Sequence, residues 1–202
     1  MPAAEFFSLL RLFVQRDFFP PAECEWLRRE ARLAPGIPGT VRTEGATYDV
    51  DSAERSVRCS LIADAVLAQT TERLLALKPR LETHFGVPLR RCQPPQFLRY
   101  GPGDHYRAHR DNSDDPTASP ISRERRVSVV IFLNGESAEP QEDRYGGGAL
   151  TFYGLLEDPR ARSIGLPLVG EPGLLIAFPS NLAHGVTPVV HGERFTVVSW
   201  FI

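Results

Sequence analysis

The middle of the chain reads Tyr100-Gly101-Pro102-Gly103-Asp104-His105-Tyr106-Arg107-Ala108-His109-Arg110-Asp111. Side chains two residues apart on an extended strand point to the same face, so His109 and Asp111 can present an imidazole and a carboxylate to one metal ion. His184, brought in from a later strand, would complete a set of two imidazoles and one carboxylate. Such a set leaves coordination positions open and is typical of non-heme Fe(II). The stretch therefore predicts an iron site built on neighbouring strands.

Taken singly, these residues have simpler structural explanations. A His-x-Asp triplet is common, and a lone histidine such as His184 is more often a surface or hydrogen-bonded core residue. The combination is more specific. A glycine-containing turn precedes the pair, an apolar strand follows it, and Arg194 stands ten residues after His184 in a second apolar strand. Together they favour a metal site with an anion-binding arginine beside it.

This ordered set resembles the iron- and 2-oxoglutarate-dependent dioxygenases, in particular the prolyl 4-hydroxylase catalytic-domain family. The resemblance is dense in the C-terminal half, over residues 96–111, 126–134, 146–153 and 173–201, and loose in the N-terminal half. It implies Fe(II) bound by His109, Asp111 and His184, and 2-oxoglutarate held at its distal carboxylate by Arg194. Collagen-type members usually carry lysine at the Arg194 position, so the superfamily is indicated more firmly than collagen-like specificity.

The resemblance also implies a reaction and further cosubstrate contacts. In the family, 2-oxoglutarate is decarboxylated to succinate while O2 hydroxylates an aliphatic carbon, and ascorbate is a candidate supporting reductant. The planar guanidinium of Arg194 suits the distal carboxylate because it donates two parallel hydrogen bonds. Tyr100 is expected to donate to the cosubstrate, as the equivalent tyrosine does in the family, or else to be a core tyrosine. Thr196 shares the inward face of the Arg194 strand and is a second candidate donor, whereas Trp200 on that face is predicted to be core.

Other residues near the motif have open roles. Tyr106, three residues before His109, is a candidate substrate-binding residue that lines the pocket. His105 is four residues before His109, so on a regular strand both side chains would point to the same face of the sheet. The preceding turn leaves the direction of the His105 side chain open. The glycines at 146–148 indicate either close approach of a substrate or a mobile hairpin. His84, near the end of a helical stripe, is predicted to be structural or solvated.

Length and composition predict one globular domain. The 202 residues, 42% of them hydrophobic, can bury one sizeable core. We expect a single domain, 1–202, in which 1–91 form a helical support and loop region and 92–202 form the catalytic core. The net charge of −2, from 23 basic and 25 acidic residues, gives no bulk electrostatic reason to bind nucleic acid or a membrane, and a local basic patch stays open.

The cysteines and the N-terminal stretch favour a reducing compartment. Cys24, Cys59 and Cys92 are odd in number and lack Cys-x-x-Cys spacing, so neither a disulfide framework nor a zinc ribbon is indicated. The apolar run 6–14 is interrupted by Arg11, which argues against a signal peptide. No apolar run approaches the ~18 residues of a membrane span. We expect a cytoplasmic protein.

Periodicity predicts an α+β, mainly β, fold. Before residue 92 helical spacing dominates: one stripe follows Pro20-Pro21, and a second covers 67–85, where Pro79 should kink or split the helix. After residue 92 short apolar runs alternate with turns. We predict strands at 96–100, 106–111, 127–133, 149–153, 164–168, 174–179, 185–190 and 195–202. These suit a double-stranded β-helix, or jelly roll, supported by N-terminal helices.

The connections decide what substrate could bind. Residues 34–58 form either a loop over an active site or a plain surface connection, with candidate strand pieces at 39–43 and 47–50. Long polar connections lie at 112–125, 135–148 and 154–163. A peptide substrate would need an open groove, and we expect 40–51, 112–125 and 135–148 to frame it. The barrel strands show no second cationic clamp of the kind that a free amino acid needs, which favours a peptide.

The sequence therefore predicts an Fe(II)- and 2-oxoglutarate-dependent dioxygenase that hydroxylates an aliphatic carbon, with a prolyl residue of a peptide or protein as the first candidate. A free amino acid or another small molecule is the alternative substrate. A catalytically idle binding module on the same fold is a second alternative, but an idle module has no need to keep His109, Asp111, His184 and Arg194. A nucleic-acid demethylase would share the metal chemistry but finds no support in the charge balance.

Overall fold

The computed structural model of the protein describes residues 10–42, 48–113, 119–155 and 163–202. The helices in these residues are α1 (Pro21–Leu33), α2 (Asp64–Phe85) and the short α3 (Pro120–Glu124). The strands are β1 (Phe13–Gln15), β2 (Gly36–Pro38), β3 (Val41–Arg42), β4 (Tyr48–Asp49), β5 (Arg55–Ser56), β6 (Arg58–Ser60), β7 (Gln96–Tyr100), β8 (His105–His109), β9 (Val127–Phe132), β10 (Tyr145–Gly147), β11 (Leu150–Tyr153), β12 (Gly165–Leu168), β13 (Leu175–Pro179), β14 (His184–Val186), β15 (Val189–Gly192) and β16 (Arg194–Phe201).

Two antiparallel sheets form the body of the fold. The major sheet has the order β1-β13-β9-β16-β7-β6-β2, and the minor sheet has the order β12-β11-β14-β8-β5. The pairs β10-β15 and β3-β4 are separate two-stranded ribbons. Non-consecutive strands lie side by side in both sheets, as a jelly roll requires. The predicted double-stranded β-helix is confirmed.

Strand β9 shows how the layers are built, because it is buried on both faces. Val127, Val129 and Ile131 belong to the hydrophobic cluster that also contains the buried residues of α1 and α2. Val130 and Phe132, which point the other way, pack in a second cluster with residues of the minor sheet. Its sequence therefore reads as an almost continuous apolar run, and the one polar member, Ser128, faces the candidate site.

Helix α2 is not split at Pro79, one of the two outcomes expected there. The helix runs unbroken over 22 residues with Pro79 inside it. Proline removes the N–H that the carbonyl of Leu75 would accept, but Leu75 lies on the exposed side, 42% accessible, where water can replace the lost donor. The buried stripe of Leu74, Leu77 and Leu81 still packs on the major sheet and holds the helix in place.

The N-terminal region supplies strands as well as support. The major sheet takes β1, β2 and β6 from it, and the minor sheet takes β5. Of the predicted pieces, 39–43 and 47–50 correspond to β3 and β4, which pair with each other, and the residues between these two strands lie outside the described ranges. The sheets thus extend beyond the predicted 92–202 core. The sequence did not predict the strands that extend the two sheets, because two or three residues are too few to show an alternation of apolar and polar side chains.

Two predicted strands have different bounds. The run 185–190 is divided into β14 and β15, because Pro188 lacks the N–H that a continuous ladder would use. The run 106–111 ends as a strand at His109, so Asp111 lies in the bend beyond β8. Two separate hydrogen bonds fix that bend, from the backbone N–H groups of Asp111 and Asn112 to the Ser180 carbonyl, both at 2.9 Å.

The connection 135–148 does not frame a groove, contrary to expectation. It contains β10, and Asp143 forms ion pairs with Arg28 and Arg32 of α1, which fixes the segment against that helix. Gly147 has a φ of +70°, and a Cβ there would lie 2.5 Å from the Pro188 carbonyl oxygen. The glycines of 146–148 therefore allow close contact between β10 and β15. This packing role is a third explanation, beside the two that the sequence left open.

The remaining expectations concern other parts of the chain. Parts of the connections 40–51, 112–125 and 154–163 lie outside the described residues. His84 packs edge-on against Phe13 with ring centroids 5.4 Å apart, and burial lowers its pKa. All three cysteines are free thiols. None of the described helices is both long enough and apolar enough to cross a membrane.

Candidate active site

Pairing of β8 with β14 brings the predicted ligands together. The register places His184 directly opposite His109, and the ladder is irregular between His184 and Val186. His109 Nε2 lies 3.6 Å from Asp111 Oδ1, and His184 Nε2 lies 3.4 Å from Asp111 Oδ2. One ligand atom from each of the three residues lies within 4.8 Å of the others. Two nitrogens and a carboxylate at this spacing fit the donor set of non-heme Fe(II).

Backbone carbonyls fix both imidazoles in the ligating tautomer. His109 Nδ1 donates to the Arg107 carbonyl, and His184 Nδ1 donates to the Leu182 carbonyl, each at 2.9 Å. A carbonyl oxygen only accepts, so the proton of each neutral ring sits on Nδ1. The Nε2 lone pairs therefore face the cluster. Hydrogen bonds of this kind orient metal-binding histidines and set their tautomer.

Asp111 is held as a carboxylate. Burial would raise its pKa, but the positive charge that His184 and His109 carry when they are protonated, together with a hydrogen bond from Ser128, holds the pKa well below its usual range. The Ser128 hydroxyl donates to Asp111 Oδ2 at 2.7 Å, and Ser128 Oγ also lies 2.9 Å from Ser180 Oγ. Ser128 thus fixes the orientation of the one anionic residue in the cluster. Sequence reasoning missed this role, since nothing in the β9 run shows which serine meets which carboxylate.

His184 stays neutral at physiological pH. Its side chain is 7% exposed and lies edge-on to Phe178, with ring centroids 4.6 Å apart. Burial and the neighbouring His109 lower the pKa of His184 to about 4, although Asp111 opposes the shift. A neutral ring has a lone pair available for a metal. The buried environment that keeps His184 neutral therefore also suits it as a metal ligand.

We expect the substitution Ser128→Ala to weaken Fe(II) binding by about 10–100-fold, the usual effect of removing a group that orients a metal ligand. The reason is that Asp111 Oδ2 loses its hydrogen-bond donor. Metal titration of the purified protein measures the effect. Ser199→Ala is the matched control, because Ser199 is equally buried on β16 but donates to the Gln93 carbonyl. Equal losses in the two variants would contradict an orienting role for Ser128.

Arg194 is a buried cation with an incomplete set of partners. It is 1% exposed, and its Nη1 donates to Thr196 Oγ1 at 3.3 Å. Its Nε and Nη2 are buried and have no hydrogen-bond partner. The rings of Tyr100 and Phe132 lie 5.1 Å from its Cζ. A buried charge is costly unless it is paired, and among the described residues no carboxylate forms an ion pair with it. Its free donors therefore fit the carboxylate of a bound molecule.

One inner cavity joins Arg194 to the histidine and aspartate cluster. Its lining includes the three cluster residues and Arg194, together with Tyr100 and Thr196. Tyr100 lies opposite Arg194 in the β7-β16 register, and burial raises the pKa of its phenol, so the hydroxyl keeps its proton. Thr196 Oγ1 accepts from Arg194, which leaves its own proton free to donate. Both predicted cosubstrate contacts are therefore placed where such contacts could form.

An outer cavity of about 840 Å³ opens from the cluster towards solvent. Tyr106 lines it and stacks on the His109 ring, with centroids 3.6 Å apart and planes at 16°. Trp200, predicted as core, is buried but lines both cavities, and the Arg125 guanidinium lies 3.7 Å over its ring.

Thr40 lines the outer cavity, so the segment 34–58 reaches the site. His105 does not line it; its Nδ1 lies 3.2 Å from the Gly103 carbonyl oxygen, and its Nε2 lies 3.1 Å from the Ala53 carbonyl oxygen.

Comparison with known proteins agrees with this geometry. A PKHD-type hydroxylase of Bordetella pertussis is 29% identical over 189 residues, which cover 91% of this chain and 75% of the relative. A Pseudomonas putida prolyl-4-hydroxylase superposes with a TM-score of 0.66 at 22% identity, covering 98% of this chain and 95% of that chain. A Trichoplax adhaerens prolyl hydroxylase, in complex with a peptide fragment of the hypoxia inducible factor oxygen degradation domain, has a TM-score of 0.70 at 15% identity, covering 98% and 86%. The family model of the 2OG-Fe(II) oxygenase superfamily matches residues 95–202. Because that match spans more than half of the chain and includes the whole cluster and Arg194, the protein belongs to the 2OG-Fe(II) oxygenase superfamily.

Proposed function

We propose that the protein uses Fe(II) and 2-oxoglutarate to hydroxylate an aliphatic carbon of a prolyl residue in a peptide or protein. In this proposal His109, Asp111 and His184 hold the iron, and Arg194, Tyr100 and Thr196 hold 2-oxoglutarate. The observation that carries it is the single cavity that contains both the three-residue cluster and the unpartnered Nε and Nη2 of Arg194.

The residues of the chain have distinct tasks in the reaction. Iron and 2-oxoglutarate, when bound, would supply the chemistry that splits O2: one oxygen atom enters an unactivated C–H bond, and the other converts 2-oxoglutarate to succinate and CO2. Arg194 holds the far carboxylate of the cosubstrate through two parallel charge-assisted hydrogen bonds, which orients the reactive end towards the cluster. Apolar side chains of the inner cavity, Leu150 and Val186 among them, limit the access of water. The protein thus contributes mainly position and register.

The shape of the outer cavity supports a peptide. It has a volume of about 840 Å³, opens to solvent, and is lined by Tyr106 and Trp200 and also by the polar residues Asn112 and Asn181. An extended segment can cross such a cavity with one side chain directed at the cluster. The relatives named above are a PKHD-type hydroxylase and two prolyl hydroxylases, one of which binds a peptide, and these substrates are consistent with the proposal. We also propose a reducing, cytoplasmic setting, which the three free thiols support.

The experiment is mass spectrometry of substrates incubated with the protein, Fe(II), 2-oxoglutarate and ascorbate. We expect proline-containing peptides to gain one oxygen atom, in a molar amount equal to the succinate formed. Peptides in which alanine replaces the proline should remain unchanged. Oxygen gain by free amino acids or other small molecules, with every peptide left unmodified, would replace the peptide proposal with the small-molecule alternative.

A further inference from the structure

A second arginine lies close to the candidate iron ligands. Arg55 is on β5, the edge strand of the minor sheet, and pairs in register with Tyr106 of β8. Its guanidinium carbon lies 4.7 Å from the centroid of the Tyr106 ring, and that ring stacks on His109. The stack of His109, Tyr106 and Arg55 holds a positive charge at a fixed place beside the cluster. Sequence reasoning found no such clamp, because a two-residue edge strand gives no periodic signal.

The guanidinium of Arg55 has a buried N–H group without a hydrogen-bond partner. Its Nη1 donates to the Thr40 carbonyl at 2.8 Å, and its Nε is buried without a partner. Over the described parts of the chain, no carboxylate forms an ion pair with it. Arg55 lines both the inner and the outer cavity. It therefore stands at the boundary between the metal cluster and the substrate entrance.

Among the described residues that line the entrance, positive charges outnumber negative ones. Arg55, Arg110 and Arg125 line the outer cavity, and Asp111 is the one carboxylate among its described lining residues. The charge of Asp111 is already assigned to the metal. Arg110 is exposed and has no ion-pair partner within the described ranges. The whole chain has a net charge of −2, so the excess of arginine among these described lining residues is a local feature.

We propose that Arg55 binds a carboxylate of the substrate next to the carbon that is hydroxylated. The preferred substrate is thus a proline that carries an anionic group within one residue of the target, and this inference rests on the proposed function. The carboxylate comes either from an acidic neighbour in a peptide or from the α-carboxylate of a terminal or free proline. Arg110, which is exposed and also lines the outer cavity, adds to the field that attracts such a substrate.

The test is fluorescence anisotropy of labelled peptides in the presence of Mn(II) and 2-oxoglutarate, which measures binding without turnover. The first pair of peptides has Glu or Gln beside the proline, and the second pair ends in proline with a free or an amidated carboxylate. Calorimetry with L-proline and L-prolinamide covers the free amino acid. We expect the anionic member of at least one pair to bind about tenfold more tightly, the scale of a charge-assisted contact in a partly solvated site. The pair with the larger difference identifies the source of the carboxylate.

Variants of the arginine complete the test. Arg55→Gln should remove the preference for the anionic member over the neutral member, and Arg55→Lys should keep part of the preference. Arg58→Gln is the matched control, because Arg58 is exposed on β6 and lines neither cavity. An equal affinity of the native protein for both members of every pair, or a preference that survives in Arg55→Gln, would overturn the assignment of Arg55.

Failure of this inference can be distinguished from failure of the proposed function. If neutral proline peptides bind and gain oxygen without any charge preference, prolyl hydroxylation stands and Arg55 is not the clamp. If anionic peptides bind through Arg55 but the oxygen atom appears on a residue other than proline, the clamp stands and the prolyl assignment is wrong.

Discussion

Replacing Asp111 with alanine is expected to abolish iron binding and turnover together. Asp111 is the one carboxylate in the cluster, and without it Fe(II) would face two neutral imidazoles in a largely buried site. Removal of a group that merely orients a ligand weakens metal binding by about 10–100-fold, so loss of the anionic ligand itself should exceed that range. Iron content after gel filtration and the rate of succinate formation measure the two effects.

The control for Asp111→Ala is removal of a carboxylate that lies outside the cluster. Asp64 is exposed at the first turn of α2, so Asp64→Ala changes the net charge equally and should retain full iron content. Circular dichroism checks that both variants keep the sheet structure. An Asp111→Ala protein that binds iron as well as the native protein would remove Asp111 from the metal site.

Replacing Arg194 with alanine is expected to weaken 2-oxoglutarate binding by tenfold or more, and to leave the metal in place. A hydrogen bond to a charged group contributes about 1.5–3 kcal/mol, and Arg194 has two buried nitrogens without partners to offer. Arg194→Lys keeps the charge but cannot donate two parallel hydrogen bonds, so its affinity should fall between those of the native protein and the alanine variant. Titration of the Mn(II)-loaded protein, followed by the fluorescence of Trp200 in the cavity wall, gives the affinity.

The two variants also control each other. Asp111→Ala should lose metal, whereas Arg194→Ala should keep metal and lose cosubstrate affinity. This pattern separates a specific effect from general unfolding, which would remove both. An unchanged affinity for 2-oxoglutarate in Arg194→Ala would exclude Arg194 as the carboxylate-binding residue.

The parts of the site that could be predicted depend on local spacing. His109 and Asp111 are two residues apart, so their proximity follows from extended backbone in any sheet. The placement of His184 and Arg194 required the resemblance to a family, because strand pairing over more than 70 residues cannot be read from periodicity. The buried run at 127–132 was predicted for the same local reason, since a strand covered on both faces is apolar throughout.

The features that were missed depend on contacts between distant segments. Ser128 reaches the site because β9 lies beside the bend after β8, and Arg55 reaches it because β5 pairs with β8. Neither contact can be read from the local sequence. The connection 135–148 was expected at the entrance because it is long and polar, but ion pairs from Asp143 fix it against α1. Pro79 was expected to kink or split α2, and the helix is not split, because the missing hydrogen bond falls on the solvent side.

The most direct test of the site is a crystal structure of the protein grown without oxygen in the presence of Mn(II) and 2-oxoglutarate. We expect one anomalous peak between His109 Nε2, His184 Nε2 and the Asp111 carboxylate, and one 2-oxoglutarate molecule that reaches from that metal to Nε and Nη2 of Arg194. A metal bound at other residues, or a cosubstrate whose far carboxylate lies away from Arg194, would contradict the assignment.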